Sequence, residues 1–435
     1  MKTVAFKTLG CKLNQFETWA IKEEFEKEGF QTVSFREKAD VFVINTCTVT
    51  SRADYKSRYE IRQAIKRNGH AFIVVTGCYA QTNPETIQKI PGVSLIVGNK
   101  EKRGLVQYLT HHLSSITHHP IVKVGDISNH TQFTDLEVSC VDSTRAFVKI
   151  QDGCNSFCSY CKVPYARGPN RSADSKKVVK KVKEFVDKKY KEVVLTGVNL
   201  GTYGKDLKGE EDLVSLLKSL LKIEELERLR LSSIEPNDIS SDLIALVASN
   251  AKICKHLHIP LQSGDSEILS SMKRRYTISK YVALIDKLTS TIPDVSIGTD
   301  IIVGFPKETE QAFLNTYNLA MALPFAYMHI FPYSKREGTE AAKVPDQISP
   351  SVKHERTEKL RRLSKQKSFY FRKRYEGKTL SCLVLNTRDS ETHKLVGLTS
   401  NYIRILFDGE DGLMNRILDV TITDVTYNNT FGKVY

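Results

Sequence analysis

Short apolar runs and amphipathic stretches alternate along the first part of the chain. Four apolar runs have the length and composition of strands buried in a parallel sheet, at residues 4–9, 41–45, 72–75 and 95–98. Amphipathic stretches with helical periodicity follow two of them, at about residues 15–27 and 51–66. Because strand and helix alternate, the pattern predicts an open parallel α/β sheet for residues 1–125.

A second strand–helix series occupies residues 140–370. Its apolar runs predict six strands, with helical patterns between them, at residues 146–151, 192–196, 228–232, 256–259, 296–302 and 325–331. Six units are too few to close an eight-stranded barrel. We therefore predict an open, partial (β/α)6 barrel whose mouth admits a large substrate.

The pattern changes again after Gly377. Short alternating segments predict a small β-barrel, at residues 380–385, 393–398, 402–407 and 420–427. The sequence thus predicts an α/β protein of three domains, at residues 1–125, 140–370 and 371–435.

Three cysteines follow strands of the predicted N-terminal sheet. Cys11, Cys47 and Cys78, which we call the first trio, each lie just past the carboxyl end of a strand. These ends share one edge of a parallel sheet, where ligands bind. A lone cysteine is usually a small buried hydrophobe, but three at equivalent turns predict a 4Fe-4S cluster with one iron left open. Lys12, Asn14 and Glu17 are expected to support this site.

Three further cysteines stand close together after the first predicted barrel strand. Cys154, Cys158 and Cys161, the second trio, have the spacing Cys-x3-Cys-x2-Cys. Three thiolates bind three irons of a 4Fe-4S cluster and leave the fourth iron open to an outside ligand. The alternatives are a redox dithiol at Cys158 and Cys161, or part of a zinc site. A zinc site needs a fourth close ligand, and the nearest histidine downstream is His256.

Polar residues and glycines recur beyond the other predicted barrel strands. Catalytic groups of β/α barrels gather on this face, so we predict that it binds a ribose and an adenine. Each residue taken alone is also consistent with turn chemistry or helix capping. The predicted cofactor-binding residues, with Tyr160 as a base-stacking group, are Tyr160, Thr196, Gly197, Asn199, Ser232, Glu235, Gln262, Thr299, Asp300 and Gly304.

The chain is strongly basic for its 435 residues. It has 64 Lys and Arg against 50 Asp and Glu, a net charge of +14, and its pI is about 9.2. Such a balance favours a polyanionic partner, most simply nucleic acid, although a basic enzyme with a solvated surface is the plain alternative. The predicted RNA-binding residues are Arg58, Arg62, Arg167, Arg171, Arg274, Arg275, Arg372 and Lys373.

The cysteines and the apolar runs also indicate a compartment. The nine cysteines are an odd number, and six of them fall in the two trios, which argues against a disulfide framework and for reducing conditions. No apolar run is long enough to span a bilayer. The first residues resemble a strand rather than a signal peptide. We therefore expect a cytoplasmic protein.

The motifs around the cysteines resemble those of the methylthiotransferases, a family of radical S-adenosylmethionine enzymes. The matching segments are residues 9–14, 45–50 and 76–78, together with the second trio. The resemblance covers the whole chain and implies an N-terminal three-cysteine domain, a radical S-adenosylmethionine core and an RNA-binding TRAM domain. The TRAM match rests mainly on residues 397–402. The first cysteine motif, with Glu17 soon after it, is similar to the branch that acts on threonylcarbamoyladenosine in tRNA.

The resemblance implies two 4Fe-4S clusters, one per trio, and S-adenosylmethionine as cofactors, with all six cysteines as catalytic metal ligands. The second trio's cluster would generate a 5′-deoxyadenosyl radical that removes hydrogen from C2 of the modified adenosine. The first trio's cluster would carry or deliver the sulfur. The implied partners are the tRNA anticodon stem-loop, an electron-donating reductase and a sulfur donor, with the enzyme a monomer.

Two other functions stay open from the sequence. One keeps the chemistry and changes the target to isopentenyl-modified tRNA or to an aspartate of a ribosomal protein. The other is a non-catalytic RNA-binding protein that uses iron–sulfur or zinc for structure.

Overall fold

The computed structural model describes residues 2–112, 120–139, 143–209 and 211–434. The predicted domain start at residue 140 lies outside these ranges. Within them, no helix is both long enough and apolar enough to cross a membrane.

The N-terminal part of the chain folds as the predicted parallel sheet. Six parallel strands lie in the order β2-β1-β3-β4-β5-β6. The elements are β1 Thr3–Thr8, α1 Lys12–Lys27, β2 Gln31–Val33, β3 Val41–Thr46, α2 Ser51–Arg67, β4 Phe72–Gly77, α3 Cys78–Thr82, α4 Pro84–Gln88, β5 Leu95–Val97, α5 Leu105–His112 and β6 Ile121–Lys123. The edge strands β2 and β6 were not predicted, because each has three residues and none is fully buried.

The central strand β3 shows why this sheet is covered on both faces. All six of its residues are buried, and successive side chains of a strand point to opposite faces. Phe42 and Ile44 pack with Ile61 of α2 in one apolar cluster. Val41 and Val43 pack in a second cluster with residues of α1 and α5. A continuous apolar run therefore marks a strand that is buried on both sides.

The middle of the chain contains six parallel strands, as predicted. Their order is β7, β10, β11, β12, β13, β14, with only single bridges between β11 and β12. The elements are β7 Ala146–Lys149, β8 Gln151–Asp152, α6 Val163–Arg167, β9 Arg171–Ser172, α7 Ser175–Asp187, β10 Glu192–Thr196, α8 Leu213–Leu221, β11 Arg228–Leu231, α9 Ser241–Ser249, β12 His256–His258, α10 Ser266–Ser271, α11 Ile278–Thr291, β13 Ser296–Val303, α12 Glu310–Ala322 and β14 Tyr327–Pro332. The open, partial (β/α)6 barrel is confirmed.

A long helix and a small closed barrel end the chain. The barrel has the strand order β15-β16-β17-β19-β18. The elements are α13 Pro350–Lys373, β15 Thr379–Arg388, β16 Leu395–Thr399, β17 Arg404–Phe407, β18 Ile417–Val425 and β19 Thr430–Lys433. Four of these strands were predicted. The fifth, β19, was missed because its four residues include a glycine and bury only one side chain fully.

The chain divides into two compact units, which are described separately. The first contains Met1–Val141, Gln151–Ala173 and Ser334–Ala342, and the second contains Asp142–Ile150, Asp174–Tyr333 and Lys343–Tyr435. Both cysteine trios therefore belong to the first unit. The six-stranded partial barrel and the small barrel belong to the second. The division into three domains stays a prediction.

A buried arginine joins the two barrels of the second unit. Arg230 of β11 donates from Nε and Nη2 to the carboxylate of Glu192, at 2.7 and 3.0 Å. The same guanidinium donates to the backbone carbonyls of Thr399 and Ser400 in the small barrel, both at 3.0 Å. Neither charged side chain is exposed at all. The guanidinium of Arg230 thus donates hydrogen bonds to one buried carboxylate and to two backbone carbonyls.

We expect Arg230→Ala to lower the free energy of unfolding of the second unit by about 3–5 kcal/mol, because the buried Glu192 loses both hydrogen bonds from Arg230 and keeps the longer ion pair with Arg145 at 3.6 Å. Urea unfolding followed by circular dichroism measures this loss. The control is Arg374→Ala, since the Arg374 side chain is 59% exposed and its removal should change stability by at most about 0.5 kcal/mol. Similar losses for both variants would contradict the assignment.

Candidate functional site

The first trio lies where three neighbouring strands end. In the sheet register Thr8 pairs with Asn45, and Asn45 pairs with Thr76. Cys11 caps the start of α1, Cys47 follows β3, and Cys78 is the first residue of α3. The predicted convergence of the three turns is therefore built into the strand register.

Two glycines allow these turns to approach each other closely. Gly10 and Gly77 both have φ near +100°, in the left-handed region that favours glycine (98° and 99°). A Cβ on Gly10 would lie 2.9 Å from Sγ of Cys47. A Cβ on Gly77 would lie 2.4 Å from the carbonyl oxygen of Thr46. The turns before Cys11 and Cys78 thus leave no room for a side chain.

Cys47 and Cys78 of the first trio are buried, whereas Cys11 is exposed. Burial raises the pKa of Cys47 to about 12, and the neighbouring Cys78 and Cys11 add to this. Burial also raises the pKa of Cys78, while the cations Arg167 and Lys102 act against it. Buried thiols such as those of Cys47 and Cys78 stay protonated until a metal replaces the proton. Three converging thiols with cations nearby fit a cluster bound through three thiolates.

The second trio lies in the loop between β8 and α6. Its three cysteines are all half-buried. The backbone N–H of Ser156 donates to Sγ of Cys154, and that of Val163 donates to Sγ of Cys161, both at 3.4 Å. Backbone donors of this kind are typical around iron–sulfur clusters. The loop therefore fits a cluster held by three thiolates.

Buried charges surround both trios. Lys102 forms an ion pair with Glu17, and Arg167 pairs with Glu17 and Asp152 at 2.9 Å each. Arg336 also reaches the turn after Cys47, where it donates to Thr48 at 2.8 Å and to a carboxylate of α2. Sequence reasoning missed Lys102, Asp152 and Arg336. No local motif marks them, since their partners lie tens to hundreds of residues away.

The structure corrects two of the predicted RNA contacts in the first unit. Arg167 and Arg171 are each 2% exposed, so neither reaches a nucleic acid. Arg171 donates to the backbone carbonyls of Arg167 and Pro169, at 2.8 and 2.9 Å. Both arginines lie close to the second trio in sequence, and a count of charges alone does not distinguish a buried guanidinium from an exposed one.

The other predicted RNA contacts differ in exposure. Arg62, Arg275 and Lys373 are exposed. Arg58 is half-buried and donates to the hydroxyl of Tyr79 at 2.8 Å, and Arg372 is half-buried against backbone carbonyls of the small barrel. Arg274 is a further correction, because its side chain is 4% exposed and forms an ion pair with Glu235.

The side chains of several predicted cofactor residues form hydrogen bonds within the wall of the partial barrel. Thr299 is 0% exposed, and its hydroxyl donates to the carbonyl of Ile259 and accepts from the N–H of Leu261. It therefore braces two strands and does not contact a cofactor, which corrects that prediction. Asn199 is also engaged, since its amide oxygen accepts from the backbone N–H groups of Gly201 and Glu235.

The remaining predicted cofactor residues differ in exposure, and two of them have a left-handed backbone conformation. Gly197 and Ser232 are half-buried, as is Tyr160 in the loop of the second trio. Thr196, at the end of β10, is 2% exposed. Gln262 and Gly304 adopt φ of 63° and 67°. Their role in cofactor binding stays a prediction.

Asp300 lies between two histidines of adjacent strands. Its Oδ1 is 3.1 Å from Nε2 of His258 and 3.2 Å from Nδ1 of His329. Burial alone would raise the pKa of Asp300, but the hydrogen bonds to both histidines hold it well below its usual range. Ligand atoms of these three residues lie within 4.8 Å of one another, so they could hold a metal ion. The two histidines were missed because they come from separate strands without a spacing motif.

The net shift in the pKa of Glu235 is in the opposite direction to that of Asp300. Burial raises the pKa of this carboxyl, although the ion pair with Arg274 acts against the shift. The pKa of Glu235 is therefore raised and that of Asp300 is lowered, although both carboxyls belong to the second unit.

Two family models match the chain. Residues 3–98 match "Uncharacterized protein family UPF0004", and residues 148–320 match the radical SAM superfamily. The two matches contain the first and the second trio, respectively.

Curated relatives match over the full length of the chain. A threonylcarbamoyladenosine tRNA methylthiotransferase of Bacillus subtilis is 41% identical over 100% of this chain and 96% of its own. The enzyme of the same name from Aquifex aeolicus is 43% identical over 95% of this chain and 99% of its own. A tRNA-2-methylthio-N(6)-dimethylallyladenosine synthase of Fusobacterium nucleatum is 36% identical over the whole of both chains.

Solved structures support the fold. The radical S-adenosylmethionine methyltransferase TsrM of Kitasatospora setae, with cobalamin and a [4Fe-4S] cluster bound, has a TM-score of 0.56. It is 14% identical, and the match covers 78% of this chain and 77% of the other. At this identity the likeness concerns the fold alone.

We expect Gly77→Ala to prevent assembly of a cluster at the first trio, because its Cβ would meet the Thr46 carbonyl and displace Cys78. After anaerobic reconstitution the variant should bind about half the iron of the parent protein, the share of one of two clusters. The matched control is Gly29→Ala, which has φ of 80° but nothing within 4 Å of the added Cβ. If both variants bound iron equally, the close approach at Gly77 would not matter for the site.

Proposed function

Because this chain belongs to the methylthiotransferase family of radical S-adenosylmethionine enzymes, we propose that it adds a methylthio group to C2 of N6-threonylcarbamoyladenosine in tRNA. The observation that carries this proposal is full-length similarity to relatives of that name, at 41% and 43% identity. The dimethylallyladenosine synthase of Fusobacterium nucleatum reaches 36%. The product is 2-methylthio-N6-threonylcarbamoyladenosine.

The two trios would have separate roles in this reaction. Cys154, Cys158 and Cys161 would hold the cluster that binds S-adenosylmethionine, and Cys11, Cys47 and Cys78 would hold the cluster that handles sulfur. When bound, these groups would supply the electron, the radical and the sulfur that the reaction at C2 requires, and a second S-adenosylmethionine would supply the methyl group. A radical is needed because no protein acid or base removes a C2 hydrogen from an aromatic ring.

The chain itself provides the environment for these groups. Backbone N–H groups of Ser156 and Val163 stabilise sulfurs of the second trio. The glycine turns let the first trio converge, and buried cations offset the negative charge of its thiolates.

The substrate side of the proposal concerns RNA. A net charge of +14 suits a phosphate backbone, and the exposed Arg62, Arg275 and Lys373 are the predicted contacts to the anticodon stem-loop that the structure leaves at the surface. A reductase and a sulfur donor complete the set of proposed partners. We propose that the enzyme works in the cytoplasm as a monomer.

We expect loss of a cysteine from either trio to abolish the methylthio product in cells. A strain that lacks the gene is complemented with the parent chain, Cys11→Ala or Cys154→Ala, and its tRNA nucleosides are measured by mass spectrometry. Both variants should restore none of the product, because each removes a cluster ligand. The control is Cys382→Ala, a buried cysteine of the small barrel that lies outside both trios, and it should restore the product.

The same measurement separates the rival functions. If the strain that lacks the gene loses the methylthio group from isopentenyl-modified adenosine, or from a ribosomal protein aspartate, the chain belongs to another branch of the family. Full product with Cys11→Ala would end the two-cluster scheme. Unchanged nucleosides and ribosomal protein, with zinc in the purified chain, would favour a non-catalytic RNA-binding protein.

A further inference from the structure

Arg167 lies at the end of α6, the short helix that follows the second trio. Its guanidinium donates from Nη1 to Glu17 and Asp152, at 2.9 Å each, and from Nη2 to Asn14 at 2.6 Å. The Arg167 side chain is 3% exposed, and the side chains of Glu17 and Asp152 are 2% and 7% exposed. A guanidinium that donates from both terminal nitrogens is held in a fixed orientation by these acceptors, because its planar fork is rigid.

One hydrogen-bond partner of Arg167, Asn14, is itself bonded to the turns of the first trio. The amide nitrogen of Asn14 donates to the backbone carbonyls of Leu9 and Thr46, at 2.7 and 2.9 Å. These residues come shortly before Cys11 and Cys47, respectively. Arg167 therefore orients the side chain that joins two of the three cysteine turns.

The third turn is reached through the residue before Arg167. The carbonyl of Ala166 accepts from the side-chain amide of Asn99 at 2.7 Å. The same amide nitrogen lies 3.8 Å from Sγ of Cys78. Two adjacent residues of α6 thus contact, through one side chain each, all three turns of the first trio.

Arg167 also contacts the turn that begins the second trio. Its partner Asp152 accepts from the backbone N–H of Gly153 at 2.8 Å, and the carbonyl of Gly168 accepts from the N–H of Cys154 at 3.0 Å. One buried side chain therefore lies between the two cysteine-bearing segments of the first unit and bonds to both.

The charges near the first trio do not cancel evenly. Lys102 and Arg167 share the single carboxylate of Glu17, and Asp152 also interacts with Arg171, whose Nη2 lies 3.4 Å away. Charges in a poorly solvated interior act over several ångströms with little screening. Arg167 bonds to Asn14, whose amide joins the turns before Cys11 and Cys47, so its charge lies close to the site of the first trio. A cation at this position makes it easier to add an electron to a cluster, since the potential depends on net charge.

A purely structural role is the plain alternative. Buried ion pairs are weak evidence for stability, because apolar side chains of similar volume often serve equally well. The contacts to the cysteine turns are what distinguish this arginine from an ordinary buried pair such as Arg356 with Glu308 in the second unit.

We propose that Arg167 is a positioning residue that fixes the turns of both trios and raises the reduction potential of the cluster held by Cys11, Cys47 and Cys78. The couple concerned is the one-electron couple of that cluster, with no proton and no bond change at Arg167. The inference rests on the two-cluster assignment proposed above, but not on the identity of the nucleoside.

The test uses the full-length holoenzyme, with dithionite as the reductant and electron paramagnetic resonance as the readout of each cluster's potential. A parallel titration of Cys158→Ala, which removes a ligand of the second trio, assigns the signals. Arg167→Gln should lower the potential of the first trio's cluster, because a positive charge is lost. Glu17→Gln should raise it, because a negative charge is lost.

The opposite signs separate electrostatics from structure. A merely structural role predicts that both variants disturb the cluster in the same way, and shifts of the same sign would overturn the proposal. Arg167→Lys keeps the charge without the fork, so its potential should stay closer to that of the parent than that of Arg167→Gln. Arg356→Gln changes a buried arginine of the second unit that pairs with Glu308, and it should leave the potential unchanged.

A folding defect would not leave the question open. If Arg167→Gln fails to retain iron, Lys102→Gln removes a charge of the same sign beside Glu17 without touching Asn14 or Asp152. It should lower the potential, and an unchanged potential would contradict the electrostatic part of the proposal. These readouts need no tRNA, so failure of the nucleoside assignment would leave them interpretable.

Discussion

The parallel register of β1, β3 and β4 is the constraint on which the first trio depends. Because Thr8, Asn45 and Thr76 lie side by side in the sheet, the chain leaves all three strands at one edge. Thiols 36 and 31 positions apart in the sequence are thereby brought together without any local motif. The apolar residues that bury β3 on both faces hold this register, so the site depends on the core beneath it.

Convergence of the turns creates an electrostatic problem that the surrounding residues solve. Three thiolates, two of them from buried cysteines, need nearby positive charge, and Lys102 and Arg167 provide it. Those cations are themselves buried and need carboxylates, which Glu17 and Asp152 supply. The same compact unit contains the second trio, so charges that serve one cysteine site also contact the segment that carries the other.

The sequence was informative where a local pattern determines the outcome. Apolar runs and the cysteine spacing predicted the parallel sheet, the partial barrel and both trios. Short edge strands such as β2 and β6 were missed because three half-exposed residues carry no periodic signal. Arg167, Arg171 and Arg274 were assigned to RNA because their charge is visible in the sequence and their burial is not. His258 and His329 were missed since only tertiary structure brings them to Asp300.

The small C-terminal barrel contacts the partial barrel through residues 397–402, the segment on which the resemblance to a TRAM domain rests. Arg228 donates to the carbonyls of Leu398 and Ser381, at 2.9 and 2.8 Å, and Tyr402 stacks on His256 with ring centroids 4.3 Å apart. The φ of Tyr402, 68°, lies in the left-handed region, which a bulky residue adopts only when its surroundings hold it there.

These contacts continue through side chains to the centre of the partial barrel. Nε2 of His256 is 2.8 Å from the hydroxyl of Tyr327, and that hydroxyl is 3.3 Å from Nδ1 of His258, which reaches Asp300. The segment at residues 397–402 thus anchors the small barrel to the partial barrel, through its backbone carbonyls and through Tyr402. The small barrel is therefore held at a fixed position relative to the polar interior of the partial barrel.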